Sequence, residues 1–126
     1  MQKDWLEATK AGDLQRVLSL LEAGADIDSL DHYGQTALMN AVLSNDFELT
    51  QLLVAQGAKL DHAAKYRLSA LMLAIINQRV EMVQLLVEAG ANGELEGSYG
   101  EFACTPLAYA ERHGFYEISN ILKAHT

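Results

Sequence analysis

A Gly-Ala pair recurs along the chain at a constant interval. It occurs as Gly24-Ala25, Gly57-Ala58 and Gly90-Ala91, and each step is 33 residues long. A fixed period of this length is typical of chains in which one structural unit is stacked on copies of itself. The period therefore predicts a repeat protein, in which every unit buries its apolar face against its neighbours.

One unit can be read in full around the second of these pairs. Apolar residues recur at helical spacing from Thr36 to Ser44 and again from Phe47 to Gln56, which predicts two short helices. Isolated helices of fewer than about 12 residues are marginal in water, so each has to pack against a neighbour. The turn between them contains Asn45, and Gly12 and Gly114 occupy the corresponding places in other units. These residue types favour the left-handed conformation that ends a helix.

The central unit resembles the ankyrin repeat. The resemblance rests on Asp31-x-x-Gly34-x-Thr36-Ala37-Leu38-x-x-Ala41, followed by Leu52-Leu53 and Gly57-Ala58. The Thr-Pro-Leu-His motif of the family corresponds here to Thr36-Ala37-Leu38-Met39, Ser69-Ala70-Leu71-Met72 and Thr105-Pro106-Leu107-Ala108. In the family the histidine forms hydrogen bonds between repeats, so Met39 and Met72 predict a more apolar and less rigid seam.

The resemblance covers nearly the whole chain and implies its fold class. We expect an all-α ankyrin-repeat solenoid of stacked helix-turn-helix units with hairpin loops, forming a single domain over residues 1–126. The repeats are placed at about 4–30, 31–63, 64–96 and 97–126.

The first and last units depart from the central pattern. The first lacks a leading hairpin, and Trp5 falls in the place of Leu38, which predicts a buried Trp5 in an N-terminal capping repeat. The last carries three extra residues between Ala91 and Thr105, because its equivalent residues follow at a step of 36 and not 33. Insertions project from one face of a repeat protein, and that face is often the binding face.

Motifs of enzyme chemistry are absent from the sequence. The chain has no glycine-rich phosphate loop, no G-x-S-x-G or H-E-x-x-H motif, and a single cysteine, Cys104, which we interpret as a semi-buried filler. His32 and His62 follow Asp31 and Asp61, and this set of ligand types is compatible with zinc, but we interpret these residues as solvated loop positions. We therefore expect no catalytic residue, no cofactor and no metal, with an enzyme that uses the hairpin acids as a remote alternative.

Charge is distributed unevenly around a net value of −8. Residues 1–58 carry nine acids and three bases, residues 59–79 carry one acid and four bases, and residues 80–126 carry seven acids and two bases. So negative a chain argues against nucleic acid as a partner and favours a protein with a basic surface, although solubility alone is the simpler reading. The basic segment contains Lys59, Lys65, Arg67 and Arg79, and is a candidate docking feature for an acidic group.

No apolar run approaches the roughly 20 residues that a membrane-spanning helix requires. The N-terminal residues lead directly into a helical pattern without the features of a signal peptide. We therefore expect a cytoplasmic protein without a membrane partner, which is monomeric when unbound.

The resemblance also implies where a partner protein binds. In ankyrin proteins the hairpin tips and the exposed side of the first helices form an extended concave surface. The positions that correspond to this surface are Leu30, His32, Tyr33, Gln35, Leu43, Ser44, Lys65, Tyr66, Leu68, Ile76, Asn77, Tyr99, Glu101, Phe102, Arg112 and His113. Tyr33, Tyr66 and Phe102 occupy equivalent hairpin places, so they are either binding hot spots or rings that pack on neighbouring hairpins.

The resemblance thus implies a non-enzymatic protein-binding module. A narrower alternative is an inhibitor or immunity protein that neutralises a basic toxin or enzyme. A further alternative is a fragment or subunit of a larger assembly, for which an exposed apolar flank or concentration-dependent dimerisation would be the sign.

Overall fold

The computed structural model describes residues 1–125, and within them the chain forms four successive pairs of short helices. The helices are α1 (Lys3–Ala11), α2 (Leu14–Glu22), α3 (Ala37–Leu43), α4 (Phe47–Ala55), α5 (Ala70–Ile76), α6 (Val80–Glu88), α7 (Pro106–Arg112) and α8 (Tyr116–Ala124). Short 3-10 turns occur at Lys65–Arg67 and Gly100–Phe102. Over the same residues no β-strand forms, and one antiparallel bridge joins Ala63 to Ser69. The predicted all-helical repeat architecture is confirmed.

Polar side chains at equivalent places begin five of these helices. Thr36, Ser69 and Thr105 each accept a hydrogen bond from the backbone N–H three residues further on, at distances of 3.2, 3.3 and 3.2 Å. Asp13 and Asp46 do the same at the starts of α2 and α4. Such a cap satisfies a backbone donor that has no partner inside the helix, and it explains why the short helices begin where they do.

The turn within each helix pair contains one residue in the left-handed conformation. The φ angles are 65° at Gly12, 58° at Asn45, 55° at Gln78 and 73° at Gly114. Glycine adopts this conformation without strain, and asparagine tolerates it better than most residues do. The structure confirms the predicted turn at Gly12, Asn45 and Gly114. Gln78 is the equivalent residue that the sequence did not reveal, because glutamine has no preference for this conformation.

The helices stack in two rows. In the first-helix row α1, α3, α5 and α7 each pack against the next, and in the second-helix row α4 packs on α6 and α6 on α8. The most deeply buried core residues are at most 2% exposed, and include Leu38, Val42, Leu49, Leu53, Leu71, Ile75, Val83 and Leu86. Each helix is only seven or nine residues long, so burial against neighbours stabilises it more than its own helix propensity does.

The core confirms two predictions about individual positions. Trp5 is 1% exposed and packs in α1 at the place that Leu38 takes in α3. Met39 and Met72, which replace the family histidine, are 1% and 0% exposed, so the seam between the first helices is apolar. Along α5 every residue from Ala70 to Ile75 is buried, as expected for the centre of a stack.

A repeated hydrogen bond ties each loop to the next. The backbone N–H of Lys59 donates to Asp28 Oδ1, and that of Asn92 donates to Asp61 Oδ1, both at 2.8 Å. The two bonds are separated by one 33-residue period. The loops that follow the second helices are therefore tied together with the same 33-residue period as the helices they connect.

His62 adds a different link between loops. Its Nε2 atom lies 3.0 Å from the carbonyl oxygen of Gly34, and the side chain is half-buried. The expectation that His62 is a solvated loop side chain is therefore wrong, because a ring nitrogen between two loops satisfies a carbonyl acceptor there. His32, in contrast, is exposed as expected, and its ring meets that of Tyr33 at a centroid distance of 6.0 Å.

Candidate protein-interaction surface

The residues expected at the partner-binding surface differ in exposure. Exposed side chains belong to Leu30, His32, Tyr33, Ser44, Lys65, Tyr66, Asn77, Tyr99, Glu101, Arg112 and His113. Half-buried side chains belong to Gln35, Leu43, Ile76 and Phe102. Most of the expected positions therefore present at least part of their side chain to solvent, and one does not.

Leu68 is that position, and its prediction as an exposed contact residue is wrong. It is 8% exposed and belongs to the hydrophobic core. Its carbonyl oxygen accepts a hydrogen bond of 3.0 Å from the Ala64 amide, and the bridge between Ala63 and Ser69 closes the same hairpin. A leucine side chain that this hairpin turns towards the helices gains free energy by leaving water.

Asp31 organises the hairpin of residues 31–35, which we call the first hairpin. Its Oδ1 atom accepts hydrogen bonds from the amides of Tyr33 and Gln35 at 2.9 and 3.0 Å, and Oδ2 accepts one from Asn40 Nδ2 at 3.0 Å. Burial raises the pKa of the Asp31 carboxyl, but these hydrogen bonds and the nearby His32 outweigh burial, so the pKa lies below its ordinary value. The carboxylate therefore serves as a structural acceptor within the turn.

A groove of about 500 Å³ opens beside the first hairpin, and we call it the N-terminal groove. Its lining residues are Met1, Leu6, Lys10, Leu30, Asp31, His32 and Tyr33. Tyr33 is 78% exposed and Leu30 is 42% exposed. The groove thus combines apolar walls with both signs of charge. Leu6 and Lys10 lie on α1, in the unit that lacks a leading hairpin. The expected contact positions came from the hairpins and first helices of the later units, so these two residues were missed.

A row of stacked rings joins the third and fourth repeats, and we call it the aromatic cluster. Tyr66 stacks on Tyr99 and Phe102 at centroid distances of 5.4 and 6.1 Å. Phe102 stacks in turn on Tyr109 at 6.1 Å, and Tyr109 meets the His113 ring at 4.2 Å. Burial, reinforced by nearby acidic groups, raises the pKa of the Tyr109 phenol. Of the three rings at matched hairpin places, Tyr66 and Phe102 pack on neighbours, whereas Tyr33 belongs to the N-terminal groove.

Residues 64–68 form the second hairpin of the chain, which we call the central hairpin. Tyr66 and Arg67 at its tip have φ angles of 62° and 57°, and the Leu68 amide donates to the Lys65 carbonyl at 3.3 Å. Lys65 Nζ lies 5.1 Å from the centroid of the Tyr66 ring. Arg67 was expected in the basic segment but not among the partner-contact positions, because the family pattern has glycine at its place, which carries no side chain to contact a partner.

Charges on the surface separate into an acidic row and a basic tip. Glu48, Glu81 and Glu117 are exposed at equivalent places in the first turns of α4, α6 and α8. Lys65 and Arg67 are exposed on the central hairpin. Within residues 1–125 none of these five side chains forms an ion pair. Both regions therefore expose charge that no ion pair neutralises.

Three further observations concern chemistry other than protein binding. In the part of the chain that the structure describes, no three metal-binding side chains come together. In residues 1–125, too, every helix is too short or too polar to cross a bilayer. Cys104 is 8% exposed, and its Sγ atom lies 3.4 Å from the Glu101 carbonyl oxygen, in line with its interpretation as a packing residue.

Comparison with known families supports the repeat assignment. The family model for ankyrin repeats in three copies matches residues 5–97. No curated protein matches the sequence. Because the family match spans most of the chain, and the helices have the order and stacking described above, the chain belongs to the ankyrin repeat family. Ankyrin repeats are in general protein–protein interaction modules, and theirs is a non-enzymatic fold.

Proposed function

We propose that this chain binds another protein through the N-terminal groove, the hairpin tips and the exposed side of its first helices. The contact residues we propose are those identified from the sequence apart from Leu68, with Leu6, Lys10 and Arg67 added. We propose further that the partner has a basic surface, and that the unbound chain is a cytoplasmic monomer.

The exposure of large apolar side chains on the loops carries this proposal. Tyr33, Tyr99 and Leu30 are 78%, 67% and 42% exposed. Exposed tyrosine and leucine side chains on loops are typical of sites where a partner excludes water. The loops that carry them are tied to one another by hydrogen bonds, so association orders little additional chain and loses little entropy.

The negative charge favours a narrower candidate, an inhibitor or immunity protein. The net charge is −8, and the acidic row lies along the second helices. An acidic protein associates rapidly with a basic partner because the two fields attract before contact. A basic toxin or enzyme is therefore the partner class that this charge suits best, and binding over its active site would inhibit it.

The proposal is tested by affinity capture from a lysate of the source cells, at about 50 and about 300 mM salt. A captured protein is then titrated with the chain, with the double variant Tyr33→Ala/Tyr99→Ala and with Tyr116→Ala. We expect the double variant to bind at least about tenfold more weakly, because exposed tyrosines in an interface are common hot spots.

Tyr116 supplies the matched control. It is 77% exposed, close to the 78% of Tyr33, but lies at the start of α8 and not on a hairpin. Equal losses in Tyr116→Ala and in the double variant would contradict the proposed surface, and capture of nothing at either salt would contradict partner binding. A captured enzyme that keeps full activity in the complex would reject inhibition and leave binding intact.

A further inference from the structure

The tip of the central hairpin has an unfavourable backbone conformation. Tyr66 and Arg67 are consecutive non-glycine residues with φ angles of 62° and 57°. Left-handed backbone brings the Cβ atom close to the following carbonyl, so most residues avoid it. One period earlier Gly34 has a φ angle of 74° at the place of Arg67, and adopts it without this cost. Strained residues of this kind concentrate at binding sites, where the surroundings hold them in place.

The strained tip also carries unneutralised positive charge. Lys65 and Arg67 are exposed and make no ion pair within residues 1–125, in a chain of net charge −8. Glu101 is on the loop that faces this hairpin, but its Oε2 atom lies 3.9 Å from His113 Nε2 and forms no ion pair with Lys65 or Arg67. A guanidinium group binds a carboxylate through two parallel hydrogen bonds, which makes arginine the better of the two bases for recognising an acidic side chain.

A rigid group of stacked aromatic rings lies beside Lys65 and Arg67. The Ser98 amide donates to the Tyr66 carbonyl at 2.8 Å, and the Tyr66 ring stacks on Tyr99 and Phe102. Any side chain at Gly97 would collide with the Phe102 carbonyl oxygen, so the facing loop packs closely against itself. Tyr66 is 38% exposed and Tyr99 is 67% exposed, so part of this group of rings is open to solvent.

The strained backbone, the unpaired positive charge and the exposed tyrosine rings occur together at this tip. We propose that Lys65, Tyr66, Arg67 and Tyr99 form a docking site for an acidic peptide segment. Aspartate or glutamate carboxylates of the segment pair with Lys65 and Arg67, and one of its apolar side chains packs on the two tyrosine rings. The inference rests on the proposed function, because the segment belongs to the partner protein. At physiological salt the electrostatic screening length is about 8 Å, so the more distant acidic groups of the chain are largely screened at this tip. The basic tip therefore attracts carboxylates although the chain as a whole is acidic.

The test uses the ¹⁵N-labelled chain and two synthetic peptides at about 50 mM salt. One peptide is acetyl-Glu-Glu-Phe-Glu-Glu-amide, and the other has lysine in place of every glutamate. We expect the acidic peptide to shift the amide resonances of residues 65–67 and 98–102, and the basic peptide to leave them unchanged. Equal shifts with both peptides, or acidic-peptide shifts confined to other parts of the chain, would overturn the site.

Substitution separates recognition from folding. Arg67→Gly removes the charge and relieves the backbone strain, so we expect about fivefold weaker binding of the acidic peptide and an unchanged or higher melting temperature. Lys65→Gln should also weaken binding of the acidic peptide, whereas Lys3→Gln, the same change at an exposed residue of α1, should not. If Arg67→Gly binds the peptide as the unmodified chain does, the site is overturned.

Binding of the captured partner to these variants tests the acidic-segment site and the proposed function separately. Weaker binding of the partner to both Arg67→Gly and Tyr33→Ala/Tyr99→Ala supports the two proposals together. A partner that binds Arg67→Gly normally but Tyr33→Ala/Tyr99→Ala weakly overturns the acidic-segment site and leaves the proposed function standing. A partner unaffected by all these changes overturns both.

Discussion

The first and central hairpins close with the same backbone hydrogen bonds but differ in conformation at the tip, where Tyr66 has a positive φ angle and its equivalent Tyr33 does not. Residues 31–35 and residues 64–68 each close with two equivalent backbone hydrogen bonds, at N–O distances of 2.9–3.0 Å. In the first hairpin Asp31 caps three donors, and Gly34 takes the left-handed position. The central hairpin has neither feature, since it has an alanine at the Asp31 position and Arg67 at the Gly34 position.

The comparison shows that the same closing hydrogen bonds can be supported by residues of the turn itself or by residues packed around it. The first hairpin carries the acceptors and the glycine that its conformation requires. The central hairpin relies on its surroundings: a buried Leu68 beneath it, and Tyr66 held by the stacked rings and the Ser98 amide. Its own residue types are thereby free to present charge and an aromatic ring to solvent.

The largest expected effect concerns the anchor of the central hairpin. Leu68→Ala removes an almost fully buried side chain, and should lower the free energy of unfolding by about 2–3 kcal/mol. Gln35 occupies the same position in the first hairpin but is half-buried, so Gln35→Ala should cost less than about 0.5 kcal/mol. Urea unfolding followed by circular dichroism measures both. Similar losses in the two variants would show that the hairpins are anchored alike.

The next effect concerns the cap of the first hairpin. Asp31→Asn weakens three hydrogen bonds to a carboxylate and should cost about 1–2 kcal/mol at pH 7. Because the pKa of the folded Asp31 lies below its ordinary value of 3.8, its contribution is complete above about pH 4 and disappears as the pH falls through the folded pKa. The difference in the free energy of unfolding between the unmodified protein and Asp31→Asn, measured by urea unfolding, should therefore disappear at low pH. A difference independent of pH would contradict this role of the ionised carboxylate.

A pair of glycine changes should have opposite signs. Gly34→Ala places a Cβ atom in open space but at a φ angle of 74°, so it should destabilise the chain by about 1 kcal/mol through backbone strain alone. Arg67→Gly should stabilise it by about 0.5 kcal/mol, since relief of strain slightly exceeds the greater chain entropy of glycine. Thermal unfolding of both variants checks the signs. Destabilisation by Arg67→Gly would mean that the arginine side chain supports the hairpin.

The smallest effect is expected at the most exposed ring. Tyr33→Ala should change the free energy of unfolding by less than about 0.5 kcal/mol, because Tyr33 is 78% exposed. Tyr66→Ala loses two stacked ring contacts and should cost about 1 kcal/mol. Melting temperatures measured side by side provide the test. A loss from Tyr33→Ala as large as that from Tyr66→Ala would make Tyr33 a structural residue.

The helical part of the molecule was predictable because its determinants are local and repeated. The helix predicted from Thr36 to Ser44 is observed as Ala37–Leu43, and the one predicted from Phe47 to Gln56 as Phe47–Ala55. Apolar spacing and capping hydroxyls recur from unit to unit, so a unit with a weak pattern can be assigned by alignment with the clearer ones. Exposure of Tyr33 followed from the same alignment, although the groove beside it did not.

The aromatic cluster and the central hairpin were not predictable in the same way. Three extra residues in the last unit bring both Tyr99 and Phe102 to the Tyr66 ring, and no repeat alignment assigns two residues to one place. A left-handed tip of Tyr66 and Arg67 contradicts the usual preference for glycine and asparagine there. That conformation depends on contacts between distant residues. The inward direction of Leu68 was mispredicted for the same reason.

The hydrogen bonds between successive loops make two amide protons natural reporters of repeat separation. The amides of Lys59 and Asn92 each donate to an aspartate of the preceding loop. Each can exchange with deuterium only when its own pair of loops moves apart. Their two exchange rates therefore give the opening free energy of two adjacent interfaces separately, in the unmodified protein and under native conditions. In repeat proteins it is this coupling between neighbours that determines whether the stack unfolds as one body or from one end.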